Sequence, residues 1–349
     1  MRWKFWQQTE PSELSEPVAN NGATLWRSGV ALLSIYLVLC AALAWWWNYE
    51  PTQFAIRDNA ARTANTANDT LVTGYITTST LITVAETLLD KRGGYLSNDL
   101  MPPGIWMDNV PNWEFGALTL VRDTARVYRN DLSRSQSQSI EDPDLAEAEG
   151  KFFFDNNSWI LPQTEDEYRE GIALLKSYLR RLSDPSQADA QFYARADNLQ
   201  QWLAAVDTRL GSLSQRLSAS VGKRQLNTDL AGDSAAQQAT AAPREQVVKT
   251  PWLQLDDVFY ETRGFTWALL HLLRAIEQDF GDVLDKKNAR VSLQQIIREL
   301  EPTQATLWSP MVLNGDGLGL LANHSLVMAS YIARANAAII DLRTLLAQG

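Results

Sequence analysis

The chain has 349 residues, of which 45% are hydrophobic and 21% are charged, and its formal net charge is −10. This composition predicts a folded protein with a sizeable core and excludes an intrinsically disordered chain. The acidic balance and the lack of a Lys/Arg cluster argue against nucleic acid as a partner.

The first predicted element is an uncharged apolar run of 20 residues, Ser28 to Trp47. As a helix it would span about 30 Å, the thickness of a hydrocarbon core. Trp45, Trp46 and Trp47 end the run, where an aromatic belt meets lipid headgroups. No second run of this kind follows in the sequence. The predicted domains are a cytoplasmic tail (1–27), a transmembrane helix (28–47) and a helical soluble region (48–349).

The same segment also fits a secretory signal peptide, because Ala42-Leu43-Ala44 matches the small-x-small cleavage pattern. The long tail with interspersed acidic residues favours an uncleaved anchor. Arg2, Lys4 and Arg27 precede the run and give a weak positive-inside bias, with the N-terminus in the cytoplasm.

Cys40 is the only cysteine, and it lies inside the apolar run. The soluble region therefore forms no disulfide and suits an oxidising compartment. The predicted location is the bacterial inner membrane, as a single-pass protein with a periplasmic C-terminal region.

The soluble region carries long apolar seams with the alternating 4-3 spacing of one helix face. The clearest is Phe192, Ala196, Leu199, Leu203, Val206, Leu210, Leu213 and Leu217; others begin at Leu118, Tyr168, Val258 and Leu318. Such seams suit near-parallel packing. The predicted fold class is all-α: one N-terminal transmembrane helix, then an elongated helical bundle with long heptad-patterned helices.

Local signals complete this prediction. Thr164 and Glu167 form a possible capping box for a helix that pairs with the next one as an antiparallel hairpin. Asn112 is placed to cap a helix that opens at Trp113. Leu71 to Thr78 is the one stretch with the character of a strand, and residues 223–250 are predicted to be a flexible loop.

Several unusual strings carry a family resemblance: Gly74-Tyr75, Val84–Asp90, Gly93–Asp99, Pro111–Gly116, Ser133–Ser137, Phe192–Leu199 and Leu210–Ser220. They resemble the signature segments of domain-of-unknown-function family 2333, a proteobacterial inner-membrane family. The resemblance covers most of the chain after about Thr70. It implies a Gram-negative envelope protein of similar layout, and it implies no active site.

The loop from Asp99 to Glu114 is the best candidate for a contact surface. Its candidate residues are Trp106, Asp108, Asn109, Trp113 and Glu114. The carboxylate and amide oxygens could bind a hard cation, and the indoles could stack on a sugar. The alternative is structural, because Asn and Asp favour turns and helix caps.

No catalytic, cofactor-binding or metal-ligating residue is predicted. His271 and His324 lie in no zinc or di-iron motif, and His271 is interpreted as a satisfied core histidine.

The preferred hypothesis is a non-enzymatic, membrane-anchored adaptor or scaffold that binds another envelope protein. The alternative is a periplasmic enzyme that acts on envelope glycans through carboxylates near residues 99–114.

Overall fold

The computed structural model describes residues 21–64, 71–135, 140–186, 189–226, 245–309, 311–316 and 319–348. The protein is 70% helical, with eleven α-helices in the described residues, which confirms the predicted all-α class. The helices are α1 (Asn21–Trp47), α2 (Ile56–Thr63), α3 (Tyr75–Asp90), α4 (Asn109–Val127), α5 (Pro143–Phe152), α6 (Thr164–Ser183), α7 (Ala196–Ser218), α8 (Leu255–Asp279), α9 (Gly281–Lys286), α10 (Arg290–Leu300) and α11 (His324–Ala347).

The strands of the described residues form one antiparallel hairpin. β1 (Lys223–Leu226) pairs with β2 (Glu245–Val248), and Arg224 lies opposite Val247. Both strands lie within the predicted flexible loop, so the two ends of that segment are ordered in a ladder. The middle of the predicted loop, 227–244, lies outside the described residues.

The chain forms two compact units, Met1–Leu43 and Ala44–Gly349. In the first, the apolar side chains of α1 are exposed; Leu32 and Val38 each expose 68% of their surface. A helix that is apolar on every side needs an apolar environment. By length and composition, Leu25–Trp47 can cross a membrane.

The helix α11 also passes that test of length and composition. The apolar side chains of one face, including Met328, Ile332 and Ile339, are instead buried inside the second unit against α7 and α10. We therefore assign α11 to the core.

The heptad seams are internal. On α7, the seam residues Leu199, Leu203, Val206, Leu210, Leu213 and Leu217 are all buried. The seam of α6 is buried in the same way at Tyr168, Ile172, Leu175 and Leu179. None of these seams is a free docking surface for a partner helix.

The predicted antiparallel hairpin of α6 and α7 is wrong. The main neighbours of α6 are α5 and α3, whereas α7 packs mainly against α11. Heptad spacing shows that a helix has a narrow apolar face but does not say which helix covers it.

The predicted strand at Leu71–Thr78 is also wrong. Gly74 has a left-handed φ of +91°, and α3 begins directly after it at Tyr75. The two threonines at the end of the predicted strand, Thr77 and Thr78, are buried in the helix. Tertiary burial has here outweighed the weak helix propensity of β-branched residues.

Two predicted helix starts differ from the structure. Asp108 caps α4 by accepting a hydrogen bond from the Asn109 amide (2.9 Å), so the helix begins one turn before Trp113. The Asn112 side chain instead donates to Asp257 Oδ1 (2.7 Å) and joins α4 to α8.

The capping box at Thr164 is not formed. The Thr164 hydroxyl donates to the carbonyl oxygens of Asp155 (2.8 Å) and Ser158 (2.9 Å). The Glu167 carboxylate pairs with Lys151 at 2.9 Å. The last helix begins at His324. Leu318, where its apolar seam was predicted to begin, lies outside the described residues.

Three long helices share one end of the second unit. α4 runs parallel to α8, because Asn112 bonds Asp257 near their starts while Tyr128 lies beside Ile276 further along. α7 runs the opposite way, since Arg216 near its C-terminus pairs with Glu261 at 2.7 Å. The starts of α4 and α8 and the end of α7 therefore lie together, at what we call the α8 N-terminal end.

Candidate functional site

Residues 48–57 follow α1 directly, and we call them the junction segment. They lie along one face of α8. Glu50 binds Arg263, the Phe54 amide binds His271, and the Gln53 side chain accepts from Arg274. The α8 residues that face the segment are spaced 4-4-3-4: Arg263, Trp267, His271, Arg274 and Gln278. The chain that leaves α1 is therefore fixed to the body by specific contacts.

Arg263 makes the strongest of these contacts. It is 7% exposed, and it donates to both oxygens of Glu50, at 2.7 Å from Nε and 2.6 Å from Nη2. Its Nη1 donates to the carbonyl oxygens of Thr303 and Ala305, both at 2.9 Å. Bidentate pairing fixes orientation as well as distance. One guanidinium therefore joins the junction segment, α8 and the turn after α10.

His271 makes the second contact and is fully buried. Its Nε2 accepts the Phe54 amide proton at 3.1 Å, so its proton is on Nδ1, which lies 2.7 Å from the Trp267 carbonyl oxygen. Burial is the main cause that lowers the pKa of His271 to about 4; the Trp267 carbonyl opposes this shift and Arg274 adds to it. The interpretation of His271 as a satisfied core histidine is confirmed.

An open cavity of about 520 Å³ lies where the junction segment and residues 304–309 meet α8 and the start of α4. Tyr260, Arg263 and Trp267 form its α8 wall, and Asn109 lies on the α4 side. Trp267 Nε1 and Asn109 Oδ1 are buried without a hydrogen-bond partner in the protein. Burial, together with the nearby Glu50 carboxylate, raises the pKa of Tyr260 and keeps the phenol neutral.

The predicted contact residues divide into two groups. Trp106 and Asp108 are exposed and Asn109 is partly exposed, so these three lie at the surface. Trp113 and Glu114 are 1% and 0% exposed. The prediction of a contact surface is therefore wrong for these two residues, because the first turns of α4 bury them against α8 and the 91–97 loop.

Glu114 holds that loop together from inside the protein. Its carboxylate pairs with Lys91 and accepts hydrogen bonds from the amides of Leu96 and Ser97, both at 2.9 Å. The Ser97 hydroxyl also donates to it at 2.5 Å. Burial raises the pKa of Glu114, while Lys91 opposes that rise. This is a structural carboxylate out of reach of solvent.

The comparisons with known proteins give a family and no function. Residues 19–349 match the family described as "Uncharacterized protein conserved in bacteria (DUF2333)". The chain belongs to the DUF2333 family. No curated protein and no solved structure matches it significantly.

In this DUF2333 protein, three of the described carboxylates in or beside the 99–114 loop have structural partners. Glu114 is sequestered, Asp108 serves as a helix cap, and Asp257 accepts from Asn112. Among the described residues, no group of three or more His, Cys, Asp and Glu side chains could hold a metal ion.

The sequence reasoning missed the face of α8 that binds the junction segment. The available signal was the run of polar or amphipathic residues spaced 4-4-3-4, Arg263 to Gln278, on a helix whose other face already carries an apolar seam. A helix that carries a second stripe of large side chains beside its apolar seam is expected to pack against a second segment. The identity of that partner, the residues directly after the span, was not visible in the sequence.

Proposed function

We propose that this DUF2333 protein is a membrane-anchored scaffold that binds another membrane protein of the bacterial envelope. In this proposal α1 crosses the inner membrane, residues 1–27 are cytoplasmic and the body is periplasmic. The positive-inside bias and the body's lack of cysteine support this topology.

The β-hairpin is the observation that carries the scaffold proposal. An isolated two-stranded hairpin is marginally stable in water. Here Leu226, Val247 and Val248 expose 69%, 64% and 40% of their surfaces, and the described strands offer unpaired outer edges. Exposed apolar side chains beside a free strand edge favour the addition of a partner's strand or apolar surface.

The position of the hairpin indicates the class of partner. The amide of Thr250, just after β2, donates to the carbonyl oxygen of Ala219 (3.0 Å), so β1 begins and β2 ends beside the end of α7. That is the α8 N-terminal end, where the junction segment begins. A partner that reaches the hairpin is therefore expected to be membrane-embedded or membrane-bound.

The test is site-specific photo-crosslinking of the full-length protein in membranes. A photo-reactive residue at Val247 should give one discrete protein adduct, whereas the same residue at Val291 should give none. Val291 is the matched control, because it is a valine of comparable exposure (73%) on α10. The substitution Leu226→Asp should remove the Val247 adduct while the protein stays folded.

Equal or absent adducts at the two positions would overturn the proposal, as would an adduct that persists in Leu226→Asp. An adduct that contains only a second copy of the chain would replace the envelope partner with self-association.

A further inference from the structure

We propose that the α8 N-terminal end of the body also docks on the lipid surface, through four exposed apolar side chains that we call the docking set. They are Trp106, Trp252, Leu253 and Trp308, which expose 60%, 76%, 76% and 92% of their surfaces. Exposed apolar groups of this size mark interaction sites more often than ordinary surface. The inference rests on the proposed function in one respect, that α1 spans a membrane.

The direction of the junction segment shows which end of the body lies nearest to Trp47, the last residue of α1. Glu50 binds at Arg263, Phe54 at His271 and Arg57 at Gln278, so the segment moves along α8 toward its C-terminus. Going backward from Glu50, the end of α1 at Trp47 is three residues away, at most about 10 Å of extended chain. The start of α8 lies beyond Arg263 by eight residues, about 12 Å of helix.

A contact fixes the direction: a Cβ on Gly93 would come within 2.7 Å of the Trp47 ring, and Glu114 holds the Gly93 loop at the start of α4. Trp47, the last residue of α1, therefore lies at the α8 N-terminal end. Trp252 and Leu253 lie in the 3₁₀ turn directly before α8, and neither side chain is buried. They are therefore at the depth where the chain enters the bilayer. Tryptophan is enriched at this interface because its ring is apolar and its N–H is polar.

Trp106 and Trp308 reach the same end from two other segments. Trp106 lies one turn before Asn109, and Trp308 lies between Leu307 and Ser309. Asn109, Leu307 and Ser309 line the 520 Å³ cavity together with the junction segment. Three separate loops thus present an exposed tryptophan around the point where the chain leaves the span. This convergence favours a flat apolar partner over a partner that binds one loop.

The charges at this end are of both signs and give no net attraction to anionic lipid. Asp108, Asp256 and Asp257 lie there, Arg263 is already paired with Glu50, and the hairpin adds Lys223, Arg224 and Lys249. Arg92 stacks over the Trp46 ring at 4.4 Å. The carboxylates offset the basic side chains, so docking should not strengthen when anionic lipid is added.

The test uses full-length Cys40→Ala protein in phosphatidylcholine vesicles that contain a nitroxide-labelled acyl chain. A fluorescent label is attached to a single cysteine introduced as Ile105→Cys, Leu253→Cys or, as control, Val291→Cys. Val291 is exposed and follows Arg290, which donates to the Glu277 carbonyl oxygen near the C-terminal end of α8. The lipid nitroxide should quench the labels at 105 and 253 at least about twofold more than the label at 291, because quenching requires entry into the lipid phase.

A second variant tests the tryptophans themselves. The triple substitution Trp106→Ser, Trp252→Ser and Trp308→Ser should reduce quenching at position 253 to the level of the control. The protein should stay folded, because all three side chains are exposed. Replacing part of the phosphatidylcholine with phosphatidylglycerol should not increase quenching.

Equal quenching at all three positions would overturn the inference, as would strong quenching at 253 that survives the triple substitution. Alkaline extraction of the same vesicles separates this result from a failed anchor. Release of the protein would overturn the proposed span, and the docking inference with it. Retention with equal quenching would overturn docking alone.

Discussion

Gly264 lies directly against the main chain of Trp113: a Cβ atom on this glycine would come within 1.8 Å of the Trp113 carbonyl oxygen. The relationship is nearly reciprocal, since a Cβ on Gly116 would come within 1.9 Å of the Glu261 carbonyl oxygen. α4 and α8 therefore cross backbone to backbone. Trp113 and Trp267 fill the space beside the crossing, with ring centroids 5.2 Å apart.

The first prediction concerns this crossing. Gly264→Ala should lower the free energy of unfolding by about 2–3 kcal/mol, because the clash is with backbone and no side-chain rotation relieves it. Urea unfolding of the detergent-solubilised protein measures the change. The control is Gly150→Ala in α5, where an added Cβ meets nothing within 4 Å. That control should raise stability by up to about 1 kcal/mol through helix propensity alone.

The second prediction concerns pH. The pKa of His271 falls from 6.5 to about 4 on folding, so between these values the unfolded chain binds the proton and the folded chain does not. The stability contributed by neutral His271 is therefore complete above about pH 6.5 and decreases as the pH falls toward about 4. The loss should reach about 3 kcal/mol.

The measurement for this prediction is urea unfolding at several pH values for wild type and His271→Gln. The stability difference between them should shrink by about 3 kcal/mol as the pH falls from about 7.5 to about 4. His324→Gln is the comparison, because burial also lowers the pKa of His324 but that ring is only partly buried. A pH profile that is identical in wild type and His271→Gln would contradict the assignment.

The third prediction concerns the junction segment. Glu50→Ala leaves the buried Arg263 guanidinium without its carboxylate and should cost about 2–3 kcal/mol. The loosened segment should also become a substrate for trypsin at Arg57. Asp90→Ala is the matched control: it breaks the exposed Arg169–Asp90 pair, whose side chains are both 57% exposed, and should cost less than about 1 kcal/mol. Equal protease resistance in the two variants would argue against a fixed junction.

The fourth prediction separates structure from catalysis at Glu114. Glu114→Gln leaves the Lys91 ammonium buried without a counter-charge and should cost about 3–5 kcal/mol. Adding Lys91→Met should recover at least half of that loss, as thermal unfolding would show. A stable Glu114→Gln protein that loses its biological role would instead return this carboxylate to the enzyme hypothesis.

Much of the helical framework could be predicted from the sequence. The seams of α6, α7, α8 and α11 are periodic over several turns, and periodicity reports helix and buried face together. The strand at Leu71–Thr78 and the capping box at Thr164 failed because both rest on a few residues. At that length, contacts with distant segments outweigh local preference. The candidate contact surface in the 99–114 loop was only partly identified. The sequence around Glu114 does not show whether its carboxylate faces water or is buried against Lys91.

The sequence by itself determined the class of this protein: an apolar segment long enough to span a bilayer, then helices with continuous buried faces, in a chain that belongs to an uncharacterized bacterial family. These properties depend on composition and on the spacing of apolar residues, and both can be read directly from the amino-acid sequence. Only the tertiary structure decided which helices pair, that Glu114 is internal, and that Glu50 and Phe54 bind Arg263 and His271 more than 200 positions away. Contacts at such separation depend on how the faces pack together, and no local pattern encodes that choice.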